Sequence, residues 1–433
     1  MKEKTSKITE LNANKRKLVI KDVCNTIAEK YIDPEVAKKI QEELLRKYNE
    51  GFFDNIIKNS TFALEVTQLI KNICNDKHLF FLYNLELLET ETILSGDDEE
   101  KKLELKKKMV EKSKEVNFGF KKLEIHDGNI GYLNLIMFDE SDEAFETAIA
   151  AMNFLQNTNA IIIDLRNNGG GSPEMVQLLT SYFLKSFSQL NYIKRRYGEP
   201  LEQYRAMPYV PGKRMLDKRL FLLSSHNTFS AAEDFIYSLK CQKRATIIGE
   251  QTKGGGHPVD FIPIQEIFLL MLPTGESFNP ISQGNWESIG IEPDIKTKAD
   301  KAFNIAYETA LEELIAKEED QTKKLFLSLA LEEFKAKTSK FDLVKIDLQC
   351  FAGEYDNIGY GISKIDFKDN NLYWQTGNAG LVKLTPISEK LFIINEPGFA
   401  DVSIIFEKKE KEILLHFFYK RERDILTKKK EWR

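Results

Sequence analysis

Residues 160–174 read AIIIDLRNNGGGSPE and join a continuous apolar run to a polar turn with three consecutive glycines. An apolar run without alternation is typical of a strand buried on both faces of a sheet. The glycines allow backbone conformations that other residues avoid, so several N–H groups can face one bound group. The stretch predicts a buried strand ending at a site for an anion or a developing oxyanion. Phosphate binding and a plain tight turn are the alternatives.

Strand and helix patterns alternate on both sides of this stretch, from about residue 117 to residue 315. The predicted strands read GNIGYLNLIMF, RLFLLSS and ATIIGE, and the predicted helices read DEAFETAIAAMNFLQN, PEMVQLLTSYFLKSF and SAAEDFIYSLKC. Repeated strand–helix–strand crossovers predict an α/β fold, with a mixed, partly parallel β-sheet and helices on its faces. Functional sites in such sheets lie at the carboxyl ends of the strands.

The segments outside this core have different patterns of apolar and charged residues. Residues 1–78 show helical spacing of apolar residues and predict an N-terminal helical cap. Residues 79–116 predict a strand and a charged helical linker, in which acidic residues precede lysines. Residues 316–433 predict a helix followed by a small antiparallel β module, with a hairpin tip at residues 369–371. With the core at 117–315, these segments give four predicted regions.

Composition excludes several classes of function. The formal net charge of -5 implies no basic face, so nucleic acid is not an expected partner. The charged N-terminus lacks the apolar segment of a secretion signal, and the longest apolar runs are too short for a transmembrane helix. The four cysteines are far apart and predict free thiols. Because motifs such as HExxH and CxxC are absent, we expect no metal or organic cofactor.

Ser230 stands where a buried strand meets a helix, in the stretch SSHNTFSAAEDF at 224–235. One interpretation is structural: Ser230 is the N-cap of the helix, and Glu233 completes a capping box. The other is chemical, because a serine at a strand–helix junction can expose its hydroxyl as a nucleophile. In that case the N–H of Ala231 would point at a substrate carbonyl.

A serine nucleophile needs a base, and neutral imidazole is the commonest one near pH 7. His226 is too close to Ser230 in sequence, and a loop hydrogen bond is its expected role. His126 follows a strand start, and His416 lies in the C-terminal module. His78 and His257 remain as candidates.

Six segments, taken together and in this order, resemble peptidase family S41, the tail-specific or C-terminal processing proteases. The resemblance runs from about residue 72 to residue 295, roughly half of the chain. The matching segments are NDKHL, GNIGYLNLIMF, IIIDLRNNGGG, NTFSAAEDF, IGEQTKGGG and NWESIGIEPDI. The resemblance implies a ClpP/crotonase-like catalytic core and a serine-type endopeptidase with no cofactor. Its partner would be a polypeptide, cleaved near its C-terminus or in an unfolded segment.

The family has two catalytic branches, and the residues of this chain favour the branch that uses histidine. Gly255 occupies the place of the catalytic lysine of the other branch. In the histidine branch, similar to the tricorn core protease and the retinoid-binding repeats, the base comes from a D-x-H segment. That segment implies His78 as the base and NWE implies Glu287 as its orienting carboxylate. Lys77 departs from the tricorn pattern, where a further serine is expected.

The predicted mechanism therefore uses Ser230, His78 and Glu287. The oxyanion donors are predicted to be the N–H groups of Ala231 and of Gly169 or Gly170. The other possible bases are Lys253, which would need a strongly lowered pKa, and His257, for which a structural hydrogen bond is expected. Two other functions stay open: a non-catalytic ligand- or peptide-binding protein on the same fold, and an esterase or amidase with the same triad. The charged linker is too short for a PDZ domain, which is common in the lysine branch.

Overall fold

The structure is a computed structural model. It describes residues 11–196, 201–338, 347–357, 361–376, 380–394, 396, 402–408, 413–419 and 422–428. The chain divides into two compact units, Met1–Ala306 and Tyr307–Arg433.

The predicted helical cap is present at the start of the first unit. It consists of α1 (Ala13–Lys30), α2 (Pro34–Asn49) and α3 (Asn59–Lys71). Asp33 starts α2 by accepting hydrogen bonds from the backbone N–H groups of Glu35 and Val36, and Pro34 occupies the first helical turn. One apolar face of each of these helices is buried, and Val23 and Ile40 are fully buried residues on it.

After the cap come β1 (Phe80–Leu82), α4 (Leu85–Ser95) and α5 (Glu99–Lys114). The charge run forms α5, which has no buried residues, so the prediction of a solvated helix is confirmed. Acidic residues lie in the first turn of α5 and lysines in its last turn, as the helix dipole favours.

The α/β core follows. Its elements are β2 (Phe120–His126), β3 (Ile130–Leu135), α6 (Asp142–Leu155), β4 (Ala160–Asp164), α7 (Pro173–Ser181), β5 (Gln189–Arg195), β6 (Glu202–Arg205), β7 (Arg219–Ser224), α8 (Ala231–Cys241), β8 (Thr246–Gly249), β9 (Val259–Ile264), β10 (Phe268–Pro273), β11 (Gly275–Phe278), β12 (Ile295–Lys296) and α9 (Ala299–Lys317). The fold class predicted from the alternating pattern is confirmed.

The central sheet has the order β12-β8-β7-β4-β3-β2. Its pairs are parallel except β2 with β3, which is antiparallel. All residues of β4 are buried, because β4 lies in the middle of the sheet with helices packed over it. The carboxyl ends of β4 and β7 are neighbours, so the glycine turn and the Ser230 junction meet at one edge of the sheet.

A second sheet, of order β1-β10-β9, carries the helical cap. The buried side chains of α1, α2 and α3 share one hydrophobic cluster with Phe81, Phe268 and Leu270. The cap is therefore packed on a hairpin that comes about 190 residues later in the chain, which the sequence did not predict. A third sheet has the order β11-β5-β6.

The second unit contains α10 (Gln321–Thr338) and the predicted antiparallel module. In its described residues the strands close into a barrel in chain order. They are β13 (Gly353–Asn357), β14 (Gly361–Lys368), β15 (Asn371–Thr376), β16 (Gly380–Pro386), β17 (Leu391–Ile393), β18 (Val402–Lys408), β19 (Ile413–Tyr419) and β20 (Glu422–Lys428). Asp369 and Asn370, both with positive φ, form the predicted hairpin tip.

Two further predictions concern single features. Within the described ranges, Cys24, Cys74 and Cys241 are free thiols. None of the helices in the described ranges is both long enough and apolar enough to cross a membrane.

Candidate active site

Ser230 lies at the sharp turn between β7 and α8, partly exposed to solvent. Its backbone has φ 56° and ψ -124°, a conformation that non-glycine residues rarely adopt. A strained serine on a strand-to-helix turn is the arrangement that lifts a nucleophilic hydroxyl out of the backbone. The N–H of Phe229 donates to the carbonyl oxygen of Asn168 at 3.0 Å and ties this turn to the glycine turn after β4.

The buried carboxylate of Glu233 holds the Ser230 turn in place. Its Oε2 accepts from the N–H of Ser230 at 2.9 Å and from the N–H of Gly255 at 2.8 Å. Its Oε1 accepts from the Thr252 hydroxyl at 2.5 Å and from the N–H of Gly254 at 2.7 Å. Burial raises the pKa of the Glu233 carboxyl to about 7, although the four donors oppose this by favouring the carboxylate.

Glu233 therefore makes more contacts than the predicted capping box requires. The side chain does accept from the N–H of Ser230, as a capping box requires. It also reaches the loop after β8, residues 250–258, which we call the β8 loop. Glu233 thus fixes the Ser230 turn and the β8 loop against each other.

The glycine turn after β4 packs directly against Ser230. A Cβ on Gly170 would lie 2.8 Å from the Ser230 Cβ and 3.1 Å from the Ala231 nitrogen, and its φ is 108°. Only glycine fits this close approach. However, the N–H of Gly170 donates to the Asn168 side-chain oxygen at 2.9 Å. In this conformation the Gly170 N–H therefore already has a partner, and its role as an oxyanion donor stays a prediction.

Two predicted oxyanion donors keep a suitable position. Ala231 is the first residue of α8, where N–H groups have no partner within the helix. Gly169 is exposed, and a Cβ there would meet no atom within 4 Å. Ala231 lines the cleft described below, and there is free space beside Gly169.

Ser230 opens into a cleft of about 380 Å³. The β8 loop and the Trp286 side chain form part of its wall, and the Trp286 ring N–H donates to the carbonyl oxygen of Gly255 at 2.8 Å. The residues of the wall that bear on the chemistry are Gly171, Ser230, Ala231, Gly255, His257 and Trp286. The cleft is large enough for several residues of an extended peptide segment.

His78 is buried beside the Ser230 turn. Its ring stacks on Phe229, with centroids 4.3 Å apart and an interplanar angle of 28°. A Cβ on Gly255 would lie 2.5 Å from the His78 Cε1. Because Gly255 and Ser230 donate to the same oxygen of Glu233, this places the His78 ring next to the backbone of Ser230.

The electrostatic state of His78 follows from its burial. Burial lowers the pKa of the His78 imidazole to about 4, so the ring is neutral near pH 7. Its Nδ1 is buried and has no hydrogen-bond partner among the described residues. The backbone N–H of His78 donates to Asp76 Oδ1 at 2.9 Å.

A second histidine, His257, lies in the cleft wall with two carboxylates. Its Nδ1 is 2.8 Å from Asp76 Oδ2 and 3.7 Å from Glu287 Oε2. Burial by itself would lower the pKa of His257, but the hydrogen bond with Asp76 and the charges of Glu287 and Asp76 outweigh it, so the pKa is raised. Asp76 is almost fully buried, and the same contact keeps its pKa below the usual value despite burial.

The predicted contact between Glu287 and His78 does not form. In the described part of the chain, Glu287 makes no hydrogen bond or ion pair with His78. Its Oε2 accepts from the N–H of Gly256 at 2.6 Å, and its Oε1 accepts from the Ser288 hydroxyl at 3.2 Å. The reason is that the β8 loop places His257 beside the Glu287 carboxylate, at the 3.7 Å given above.

Lys253 and His226 take structural positions. The Lys253 ammonium lies over the Phe229 ring, 4.4 Å from its centroid. His226 pairs with Glu250 at 2.7 Å, which confirms the predicted loop hydrogen bond. His257 also makes the hydrogen bond expected of it, but its place in the cleft wall was not predicted.

Comparisons with known proteins fit this geometry. Residues 129–297 match the model of peptidase family S41. A carboxy-terminal-processing protease of Bartonella bacilliformis is 30% identical over 175 residues, 39% of this chain and 39% of that protein. A carboxyl-terminal-processing protease of a Synechocystis species is 32% identical over 130 residues, 30% of this chain and 29% of that protein.

Among solved structures, the photosystem II D1 C-terminal processing protease is 14% identical, with a TM-score of 0.44. That comparison covers 66% of this chain and 94% of the other. The chain spans less than half the length of the curated relatives that it matches. The family match includes Ser230, His257 and Glu287, whereas Asp76 and His78 precede it. Residues 129–297 of the chain are therefore similar to peptidase family S41.

Proposed function

We propose that the chain is a serine-type peptidase that cleaves polypeptides through Ser230. One observation carries this proposal: Ser230 holds a strained, left-handed backbone conformation at a strand–helix turn and opens into a cleft. Backbone strain of this kind costs about 1–3 kcal/mol and persists where the surrounding contacts enforce it. The turn lies inside the segment that is similar to family S41.

In the proposed reaction, the Ser230 hydroxyl attacks the peptide carbonyl carbon and forms an acyl-enzyme. The N–H groups of Ala231 and Gly169 stabilise the oxyanion, each contributing about 3 kcal/mol in the transition state. A histidine takes the hydroxyl proton and passes it to the leaving amine. Water then hydrolyses the acyl-enzyme by the reverse sequence of proton transfers.

We assign the base to His78. A base must be neutral, and the lowered pKa of His78 keeps its ring unprotonated near pH 7. Its ring also lies against Phe229 and Gly255, the neighbours of Ser230 in sequence and in space. Glu287 would act on His78 only indirectly, through His257 and Asp76, because Asp76 contacts the backbone of one histidine and the ring of the other.

His257 is the second candidate for the base, and one observation favours it. Its Nδ1 is hydrogen-bonded to the buried Asp76 carboxylate, which fixes the tautomer and turns Nε2 away from Asp76. A carboxylate on Nδ1 is how serine hydrolases orient a catalytic imidazole. Its raised pKa gives it a different pH dependence from His78, so the two assignments can be separated.

The proposed substrate is an unfolded segment or the C-terminal end of a polypeptide, as the names of the relatives suggest. A non-catalytic peptide-binding protein and an esterase or amidase with the same residues are the competing functions.

The test is a mass-spectrometric cleavage profile on a peptide library, with the folded Ser230→Ala variant as control. We expect cleavage by the wild type and a loss of about 10⁶-fold in the variant. Undiminished cleavage by a folded Ser230→Ala variant would contradict the assignment. Binding without cleavage would support the binding protein, and cleavage of esters alone would support the esterase.

A further inference from the structure

We infer that Asp76, His257 and Glu287 form a binding site for a zinc ion beside the Ser230 cleft, with His257 in the cleft wall. The three side chains come from separate parts of the chain: the junction after the cap, the β8 loop and the loop before β12. We call them the 76–257–287 cluster. Because these positions lie far apart in sequence, no motif of regular spacing reveals the cluster.

The geometry of the cluster is close to that of a zinc site. One ligand atom from each residue lies within 4.8 Å of the other two. His257 Nδ1 is 2.8 Å from Asp76 Oδ2 and 3.7 Å from Glu287 Oε2. Tetrahedral zinc with ligands at about 2.0–2.2 Å needs ligand atoms about 3.3–3.6 Å apart, so shifts of about 1 Å suffice. The ion would replace the proton that His257 and Asp76 share.

The charges of the cluster also favour a cation. Two carboxylates face a single imidazole, and the side chains of all three residues are at most 15% exposed. Lys71 lies nearby, with its ammonium bonded to the carbonyl oxygen of Asp76. A divalent ion would neutralise both carboxylates directly.

Neighbouring groups already orient the ligand atoms. The Tyr31 hydroxyl donates to Asp76 Oδ2 at 3.1 Å, and the N–H of Gly256 donates to Glu287 Oε2 at 2.6 Å. Such contacts to ligand atoms are typical of metal sites and raise their affinity. One imidazole with two carboxylates suits zinc better than magnesium or calcium, which prefer sites made of oxygen alone.

Three protein ligands leave the fourth position of a tetrahedral zinc ion for water. Zinc in the cluster would fix His257 and pull on Asp76, whose other oxygen holds the backbone of His78. We therefore expect zinc to inhibit the chemistry of Ser230. This consequence rests on the proposed peptidase function, whereas the binding site itself does not.

The test is isothermal titration of ZnCl2 into the EDTA-treated full-length chain. We expect one saturable site, and an affinity lower by at least about 10-fold in His257→Gln and in Glu287→Gln. His226→Gln is the matched control, because His226 also pairs with a carboxylate, Glu250, but outside the cleft. Circular dichroism checks the fold of each variant, and the near-isosteric Glu287→Gln keeps the test valid if His257→Gln unfolds.

The outcomes separate the two proposals. Absence of saturable binding, or equal affinity in the wild type and both cluster variants, overturns the zinc site. Labelling of Ser230 by a fluorophosphonate is then measured with and without zinc, and suppression by zinc supports the inhibitory role. A chain that binds zinc at the cluster but never labels contradicts the peptidase function and leaves the zinc site standing.

Discussion

Ser230 has a backbone conformation that is unfavourable for serine. The buried carboxylate of Glu233 stabilises this conformation through hydrogen bonds. Glu233 accepts from Ser230 itself and from three donors of the β8 loop. Hydrogen bonds to an ionised acceptor are stronger than neutral ones, so this cluster can hold a strained turn. Glu233 therefore both positions Ser230 and stabilises its strained backbone conformation.

Glu233→Gln should lower both stability and activity. The amide has one acceptor oxygen, and its NH2 group would face N–H donors, so buried donors lose their partner. We expect a loss of about 1–3 kcal/mol in the free energy of unfolding, together with a fall in kcat. Urea denaturation and steady-state kinetics measure these effects.

Glu43→Gln is the control for this change, because Glu43 forms only a surface ion pair with Arg46 and should be nearly neutral. A Glu233→Gln variant as stable and as active as the control would contradict the role given to Glu233.

The choice of base can be tested by substitution. His78→Ala should lower kcat by about 10²–10⁴-fold, the usual contribution of a general base. Lys253→Ala should have a mild effect, because its ammonium lies over the Phe229 ring, 4.4 Å from the centroid. A His78→Ala variant with near-normal kcat, together with an inactive His257→Ala variant, would move the assignment to His257.

The pH profile gives an independent test of the same assignment. The base must be neutral, so kcat/KM falls as the pH drops through its pKa. Burial lowers the pKa of His78 to about 4, whereas the pKa of His257 lies above the usual 6.5. The Glu233 carboxyl, with a pKa of about 7, would itself lower activity on protonation, so the profile is measured in Glu233→Gln, which removes that titration. We expect the remaining kcat/KM of that variant to stay constant down to about pH 5.5, and a fall that begins above pH 6.5 would contradict His78.

For single residues, the sequence predicted the position in the fold better than the side chains and backbone groups that each residue contacts. The strand–helix junction identified Ser230, because local patterns determine local turns. The contact of Asp76 with His257 joins residues 181 positions apart, and no local pattern encodes it. The sequence also did not predict that the Gly170 N–H donates to the Asn168 side chain, since this hydrogen bond depends on the conformation of the glycine turn.

At the scale of elements, the β8 loop brings the site together. It follows β8 and contacts Glu233, Trp286 and the His78 ring. Gly255 allows this close packing, because a Cβ at this position would clash with both Phe229 and His78. The loop therefore sets the distance between His78 and the Ser230 turn.

Gly255→Ala should displace His78 or Phe229. Overpacking at such a site costs about 1–3 kcal/mol, and we expect a clear loss of kcat with a smaller effect on KM. Gly284→Ala is the matched control, because its Cβ would meet only the Tyr237 hydroxyl, at 3.9 Å. Thermal unfolding and kinetics of both variants decide this, and an active, fully stable Gly255→Ala variant would refute the packing argument.

Elements with a strong internal pattern were predictable, and those that depend on distant packing were not. β4 and β7 follow from continuous apolar runs, and α5 follows from its charge pattern. The shared core of the cap with β10 was missed, since the apolar run 267–272 does not specify what covers it. Hydrophobic burial is non-directional, so a sequence shows that a face is buried before it shows its partner.

At the level of the complete chain, the residues of the proposed site and the strands of the barrel belong to different units. All residues of the proposed site lie in the unit Met1–Ala306, and the barrel lies in the unit Tyr307–Arg433. Each unit has buried clusters made of its own residues. The barrel strands of the second unit thus share a buried cluster made of their own residues.

A chain truncated after Lys317, the last residue of α9, should keep the chemistry of Ser230. We expect a soluble fragment that reacts with a fluorophosphonate at a rate similar to the full chain, because no residue of the proposed site is removed. Gel filtration and circular dichroism establish the fold of the fragment. A folded fragment that fails to label would show that the second unit contributes to the site.

The most direct test of the central claim is intact-protein mass spectrometry after treatment of the full chain with a fluorophosphonate, followed by peptide mapping. If Ser230 is an activated nucleophile, the wild type gains the mass of one adduct and the adduct maps to Ser230. The Ser230→Ala variant then gains none. An unmodified wild type, or an adduct on another residue that persists in Ser230→Ala, would contradict the claim.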